Sequence, residues 1–239
     1  MYGWRARIGI LIPASDTTCE NELRKMAPEG VSIHASRMAF PGTNTPEALS
    51  RLINEAGEVA KLLIPASVDA IAFCCTSGSF IKGPGYDQEI IRRIKKVFPG
   101  IVTTATTSVI EAFKALDIKR VAVASPYINE INQALKRFLE SIGIEVVNIK
   151  GLGIVKDVEV GRLTPEVAYR LARKVDRPEA HAVFISCTNF RSLEVIDILE
   201  KDLKKAIVTS NQATMWNLLR LLGIHESIKR YGKLFTLLS

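Results

Sequence analysis

Two short motifs pair a cysteine with small polar side chains, Cys75-Thr76-Ser77 and Cys187-Thr188-Asn189. Each follows an apolar run, AIAFC before the first and AVFIS before the second. A thiolate is both a nucleophile and a base, and neighbouring donors must favour its formation. No histidine adjoins either motif, so backbone N–H groups at a strand-to-helix turn are the available helpers. Those groups, with Thr76, Ser77, Thr188 and Asn189, would also cradle a carboxylate and the charge that moves onto it during reaction. Thr and Ser at such turns also cap the following helix, a use compatible with the first. A lone buried cysteine is ordinarily just a small apolar residue. Two in matched Cys-Thr settings point to paired chemistry.

The elements that would position these motifs form a repeat. RIGILIPASDTT resembles KRVAVASPYINE, DAIAFCCTSGSF resembles HAVFISCTNFRS, and IVTTATTSVIEAFKALDI resembles IVTSNQATMWNLLRLLGI, in the same order in both halves. The first two pairs are 112 positions apart and the third 106. Short apolar runs predict strands at 7–13, 32–38, 69–75, 101–104, 120–125, 145–149, 181–187 and 206–210. Between them, helical periodicity predicts amphipathic helices, among them 45–63, 88–97 and 128–142, with Pro46 in a first turn. The pattern predicts an α/β fold of two pseudo-symmetric Rossmann-like lobes, 1–107 and 108–215, each with a four-stranded parallel sheet flanked by helices. Ligands of such sheets bind beyond the carboxyl ends of the strands, where both cysteines fall. A cleft between the lobes would present them from opposite sides.

Bulk properties exclude several function classes. The 239 residues are 47% hydrophobic and 24% charged, ordinary for a globular chain. No apolar run is long enough to span a membrane, and the first residues lack the pattern of a secretory signal, so a cytoplasmic address is expected. The basic residues behind the net charge of +7 are scattered in pairs such as Arg92-Arg93 and Lys204-Lys205 among acidic neighbours. They read as solvated helix faces and not as a nucleic-acid surface. Four cysteines without a C-x-x-C pair, and three histidines, suggest neither a metal site nor a disulfide framework. Cys74 and Cys19 read as core residues. The Gly83-Pro84-Gly85-Tyr86 stretch reads as a turn that could also lie over the Cys75 end.

Five ordered stretches carry a family resemblance: PASDTTCENE (13–22), CTSGS (75–79), SPYINEIN (125–132), DVEVGRLTPE (157–166) and SCTNFR (186–191). Together they resemble the aspartate/glutamate racemase superfamily, in its maleate isomerase and arylmalonate decarboxylase branch. The resemblance spans nearly the whole chain and implies a cofactor-independent enzyme acting on a small carboxylic acid. In the racemases one cysteine removes a proton and the other returns one on the opposite face. In the isomerases the first cysteine attacks the double bond, and the decarboxylases carry glycine in its place. With both Cys75 and Cys187 present, the resemblance favours racemisation or cis–trans isomerisation over decarboxylation. A two-lobed small-molecule sensor without catalysis is the alternative of another class. The resemblance further implies that Tyr127 contacts substrate and that a final helix, 216–239, crosses back to the first lobe. A homodimer is expected on general grounds.

This chain departs from the family pattern at two places. Asp16 and Asp157 stand where asparagines usually bind substrate carboxylates. An ionised Asp about 4 Å from a carboxylate is repelled by roughly 1–4 kcal/mol. Either the aspartates are protonated, or the substrate offers a cation or hydroxyl, or both turn away, with Asp16 capping the next helix. Maleate is therefore a poor candidate, and an amino or hydroxy acid or a cyclic amide fits better.

Overall fold

The computed structural model describes residues 2–226, 228 and 230–238. Its first half runs β1 (Ala6–Pro13), α1 (Cys19–Met26), β2 (Val31–Met38), α2 (Pro46–Lys61), β3 (Ala70–Phe73), α3 (Thr76–Phe80), α4 (Tyr86–Lys95), β4 (Ile101–Thr104) and α5 (Ala105–Ala115). The second half runs β5 (Arg120–Ser125), α6 (Asn129–Ser141), β6 (Glu145–Gly151), α7 (Asp157–Gly161), α8 (Pro165–Val175), β7 (Ala182–Ile185), α9 (Ile196–Leu203), β8 (Ala206–Thr209) and α10 (Ser210–Leu221). Two parallel sheets result, ordered β2-β1-β3-β4 and β6-β5-β7-β8, the same topology twice. Helices cover both faces of each sheet, which is why central strands read as continuous apolar runs: Ile8, Ile10, Leu11 and Ile12 are all fully buried.

The hydrogen-bond ladders correct the spacing of the repeat. The Asp69 N–H donates to the Arg7 carbonyl as His181 does to Arg120, so the first strands of the halves are 113 positions apart. The Cys75 and Cys187 strands keep the expected 112. Thr104 and Thr209, whose hydroxyls accept from the N–H groups of Thr107 and Gln212 to cap α5 and α10, are 105 apart. Matching residue types misplaced two pairs by one position, because strand register is set by backbone pairing and not by side-chain identity.

Helices start and stop close to the predicted places. The Thr45 hydroxyl accepts from the Ala48 N–H at 3.4 Å and Pro46 occupies the first turn of α2. The strands ending at the cysteines stop two residues early, at Phe73 and Ile185, leaving Cys75 and Cys187 in the turns. The helix predicted over 216–239 is instead α10, ending at Leu221, followed by a 3-10 turn, Lys233–Leu238. That turn packs on β8, α5 and α10, held partly by Gln212 Nε2 donating to the Tyr231 carbonyl at 2.6 Å. α5 and α10 lie along each other and each touches both β4 and β8, so they form the seam between the sheets. Burial of every side chain from Ser210 to Leu219 explains why α10 shows no amphipathic stripe. Several of its polar side chains are paired inside, as where Asn217 Nδ2 donates to Thr103 and Ser108 at 3.2 Å each, while Asn211 Oδ1 and Trp216 Nε1 have no partner among the described residues. The Tyr86 hydroxyl donates to the Ser50 carbonyl at 3.0 Å and pins α4 to α2. No helix among the described residues is long and apolar enough to cross a membrane.

Candidate active site

Cys75 and Cys187 sit at the carboxyl ends of β3 and β7, equivalent strands of the two sheets, and each begins a turn into polar residues. The turns are tied through one hydroxyl. Ser210 Oγ accepts from the Cys187 N–H at 3.1 Å and from Thr76 Oγ1 at 2.8 Å. A second tie runs from Thr188 Oγ1 to the Cys74 carbonyl at 3.3 Å. Both thiols are nearly out of solvent, at 5% and 7% exposure. They are close enough that charge on Cys75 acts on Cys187.

Each thiol has a backbone donor close by: Gly78 N–H for Cys75, Asn189 N–H for Cys187. The Cys75 sulfur so crowds Gly78 that a Cβ there would meet it at 2.9 Å, so no larger residue fits without displacing the thiol. Burial nevertheless dominates. It pushes the Cys75 thiol up to about 12, and Cys187 well above its ordinary value, with the nearby charges of Asp157 and Asp16 acting in the same direction. Both shifts favour the neutral thiol.

Cys187 has a φ of 134°, a conformation that residues with a Cβ rarely adopt. Such strain costs on the order of 1–3 kcal/mol and is held by its surroundings, here including the N–H bond to Ser210. Cys187→Gly is therefore expected to melt at or above the wild-type temperature, and above Cys187→Ala, in a calorimetric scan. A Gly variant less stable than the Ala variant would show that the backbone is not strained there.

Tyr127 is held from below by its own loop. Ser125 Oγ accepts from the Tyr127 N–H at 3.2 Å and donates to Asn132 Oδ1 at 2.6 Å, while Asn132 Nδ2 donates to the Tyr127 carbonyl at 3.3 Å. Gly151 is required here, since a Cβ would meet that carbonyl at 2.1 Å. The Tyr127 hydroxyl accepts from Ser186 Oγ at 3.3 Å, which leaves its proton free to donate. It neighbours Ser77 and both thiols. Ser77 Oγ lies 3.9 Å from the Cys75 sulfur.

The polar residues predicted at the site divide by how their hydrogen bonds are used. Asp157 accepts from Ser15 Oγ (2.5 Å), Asn44 Nδ2 (3.3 Å) and Asn189 Nδ2 (3.0 Å). Asn189 also donates to the Asp157 carbonyl at 2.9 Å and accepts from the Thr17 N–H at 3.0 Å. Thr76, Thr188, Asn189 and Asp157 thus spend their side chains holding one lobe to the other. Asp16 Oδ1 accepts from the Thr18 and Cys19 N–H groups at 2.8 Å each, starting α1, whereas its buried Oδ2 makes no hydrogen bond. Burial, ahead of the Asp157 charge, raises the Asp16 carboxyl to about 6. Asp16 Oδ2, Ser77 and Tyr127 are the polar groups beside the thiols with capacity left for a ligand. Among the described residues no cluster of three or more His, Cys, Asp or Glu is arranged to hold a metal.

Over the site, the loop before α2 meets the loop before α7. Thr43 and Lys156 form an antiparallel bridge, the Asn44 N–H donates to the Val155 carbonyl at 2.7 Å, and the Asp157 N–H to the Gly42 carbonyl at 2.8 Å.

Residues 8–235 match the family model described as arylmalonate decarboxylase. The chain belongs to this family. It stands in the maleate isomerase and arylmalonate decarboxylase branch of the aspartate/glutamate racemase superfamily. It is 25% identical to a maleate isomerase of Geobacillus stearothermophilus, covering 96% of this chain and 97% of that one. It is likewise 25% identical to an arylmalonate decarboxylase of Bordetella bronchiseptica, with 95% of each covered. Among solved structures, a Cys-to-Ala variant of the maleate isomerase of Pseudomonas putida S16 with maleate superposes with a TM-score of 0.91 at 25% identity, covering 97% of both chains.

Sequence reasoning missed the residues that brace the family's two motifs. Ser15, Ser210 and Asn211 fall inside quoted stretches but were not weighed, and Asn44 lies just before the predicted helix 45–63. Glu22 was quoted within a motif but not weighed. It is buried, accepts from the Ser192 and Leu193 N–H groups (2.8 and 3.0 Å) and from Asn211 Nδ2 (2.7 Å), and Asn211 in turn donates to the Thr188 carbonyl at 2.8 Å. A carboxylate on a helix face with apolar neighbours Cys19, Leu23 and Met26 was the available signal.

Proposed function

We propose that this protein is a cofactor-independent isomerase that uses Cys75 and Cys187 on opposite faces of a small carboxylic acid, by racemisation or by cis–trans isomerisation. One observation supports the reading: the buried turns that carry the two cysteines, from equivalent strands of two sheets, are joined through Ser210. The likeness to maleate isomerases and the presence of Cys75 support isomerisation over decarboxylation.

The chemistry follows from the surroundings. In racemisation, the thiolate of one cysteine takes the α-proton and the C–H electron pair moves into the carboxylate as an enediolate. The other thiol gives its proton to the opposite face and is left as the thiolate. In cis–trans isomerisation, the first sulfur adds to the double bond, the new single bond rotates, and elimination restores the alkene. Ser77 and Tyr127 supply donors to the charge that develops on the carboxylate. The remaining polar side chains hold the two half-sites at a fixed distance.

The test is proton NMR in D₂O with maleate, aspartate, glutamate, malate, hydantoins and aryl- or alkyl-malonates. Exchange at the α-carbon or geometric isomerisation is the expected result. Loss of carbon dioxide from malonates without either reaction would move the protein to decarboxylation. Tight binding of a panel member with no chemistry would make it a sensor.

A further inference from the structure

Asp16 carries an observation that the reaction scheme above does not use. Its side chain is buried, Oδ1 is filled by two backbone donors, and Oδ2 has none. The hydroxyl of Thr188, close enough to ease ionisation of this carboxyl, is directed to the Cys74 carbonyl. A buried acceptor without a donor is costly, and inside a ligand site the ligand is the missing partner.

The groups around it are acidic. Asp157 and the thiols of Cys19, Cys75 and Cys187 face the Asp16 carboxyl. The guanidinium of the half-exposed Arg37 donates to the main-chain carbonyls of Asp16 (2.8 Å) and Ala14 (3.3 Å) and not to the Asp16 carboxyl. Asp157 is filled by Ser15, Asn44 and Asn189. Among the described residues no Lys, Arg or His side chain hydrogen-bonds to either carboxyl. A ligand carboxylate placed against Asp16 would bring like charge to like charge in a site without a cation. An ammonium or hydroxyl group would fill the empty acceptor. An ammonium would also offset the Asp157 and Asp16 charges, which add to burial in opposing ionisation of the thiols.

We propose that Asp16 determines specificity, and that the substrate is an amino or hydroxy carboxylic acid whose N–H or O–H donates to Oδ2 of Asp16. Resting on the two-thiol reading above, this selects proton removal and return at the carbon bearing the donor. The C–H pair enters the adjacent carboxylate, one thiolate gains the proton, and the opposite thiol supplies its replacement. An unsubstituted dicarboxylate such as maleate is rejected by the same oxygen.

Asp16→Asn tests this, because the amide keeps an oxygen for the Thr18 and Cys19 N–H groups and puts a donor where Oδ2 was. Folding of both proteins is checked by circular dichroism. Amino and hydroxy acids are followed by α-deuterium exchange, and maleate by turnover and by calorimetric affinity at about pH 8, where an ordinary Asp is ionised. Asp16→Asn is expected to lose about tenfold or more in kcat/KM on an amino or hydroxy acid and to bind maleate about tenfold or more tightly than wild type. Maleate turned over by wild type and no better by the variant would overturn the inference while leaving the two-thiol reading intact. So would equal maleate affinities, or wild-type maleate turnover confined to acidic pH, where a protonated Asp16 itself becomes the donor. Maleate affinity is measured whether or not any compound reacts, so failure of the two-thiol reading shows separately, as absence of all turnover.

Discussion

Cys75→Ala and Cys187→Ala are each expected to lower isomerisation by about 10³-fold or more, within the range for removing a group that transfers a proton or forms a bond in the transition state. Neither thiol makes a hydrogen bond that the fold depends on, and alanine keeps the Cβ. Both variants should therefore unfold cooperatively, with midpoints within about 5 °C of wild type. The two losses should be of similar size, because a reaction needing both faces stops when either is lost. Isotope exchange at the α-carbon separates the roles: a surviving thiol that still removes its own proton lets one enantiomer exchange while the other does not. Either variant retaining a tenth of wild-type isomerisation would exclude the two-thiol scheme. Malonate decarboxylation that survives Cys75→Ala but not Cys187→Ala would assign the chemistry to one thiol.

The second large effect is expected at Glu22. Glu22→Ala leaves two backbone N–H groups and Asn211 without their acceptor and opens a cavity, costing about 3–5 kcal/mol of stability in a denaturant titration. Burial outweighs those three donors and raises the Glu22 carboxyl from 4.5 to about 7. A carboxyl raised in the folded state favours folding fully below its ordinary value, and that contribution disappears as pH climbs through the folded value. Between pH values near 4.5 and 7 the wild type should thus lose on the order of 3 kcal/mol from this group. Asp16, raised from 3.8 to about 6, acts in the same direction over a lower window. Glu22→Gln should flatten the upper part of this slope, and a slope unchanged in that variant would place its origin elsewhere. Because Asn211 links Glu22 to the Thr188 carbonyl, the Ala variant should also lower kcat more than it changes KM.

The two four-stranded parallel sheets, and the place of both cysteines at strand ends, were legible because each rests on a local signal. Apolar runs bounded by turns give strands, and a motif that occurs twice points to a symmetric site. The register of the halves was not, since a one-residue shift between 7–13 and 120–125 leaves the side-chain pattern almost unchanged. Nor was the end of the chain: α10 stops at Leu221, and the residues after it hold no helical period. The bracing of the site was hidden for a different reason. Ser210 and Thr76 are 134 positions apart, and nothing in either neighbourhood announces that a single hydroxyl will join two turns. Asp16 showed the opposite behaviour. Its two possible roles, capping a helix and facing a ligand, looked like alternatives, yet one oxygen performs the first and the other is left open.

The bridge between the two loops has an evolutionary reading. Thr43 meets Lys156, Gly42 meets Asp157 and Asn44 meets Val155, and the contacts mirror each other about an axis between the loops. This is the isologous contact by which two identical subunits close a twofold dimer, made here between halves of a single chain. A true homodimer would set the same residue against itself at that axis and offer its ligand two identical walls. Fusion into one polypeptide lifts that restriction. Asn44 Nδ2 donates to Asp157 at 3.3 Å, a carboxylate that a twin asparagine would not supply. The covalent link thus lets a symmetric scaffold tell the two ends of an unsymmetrical molecule apart.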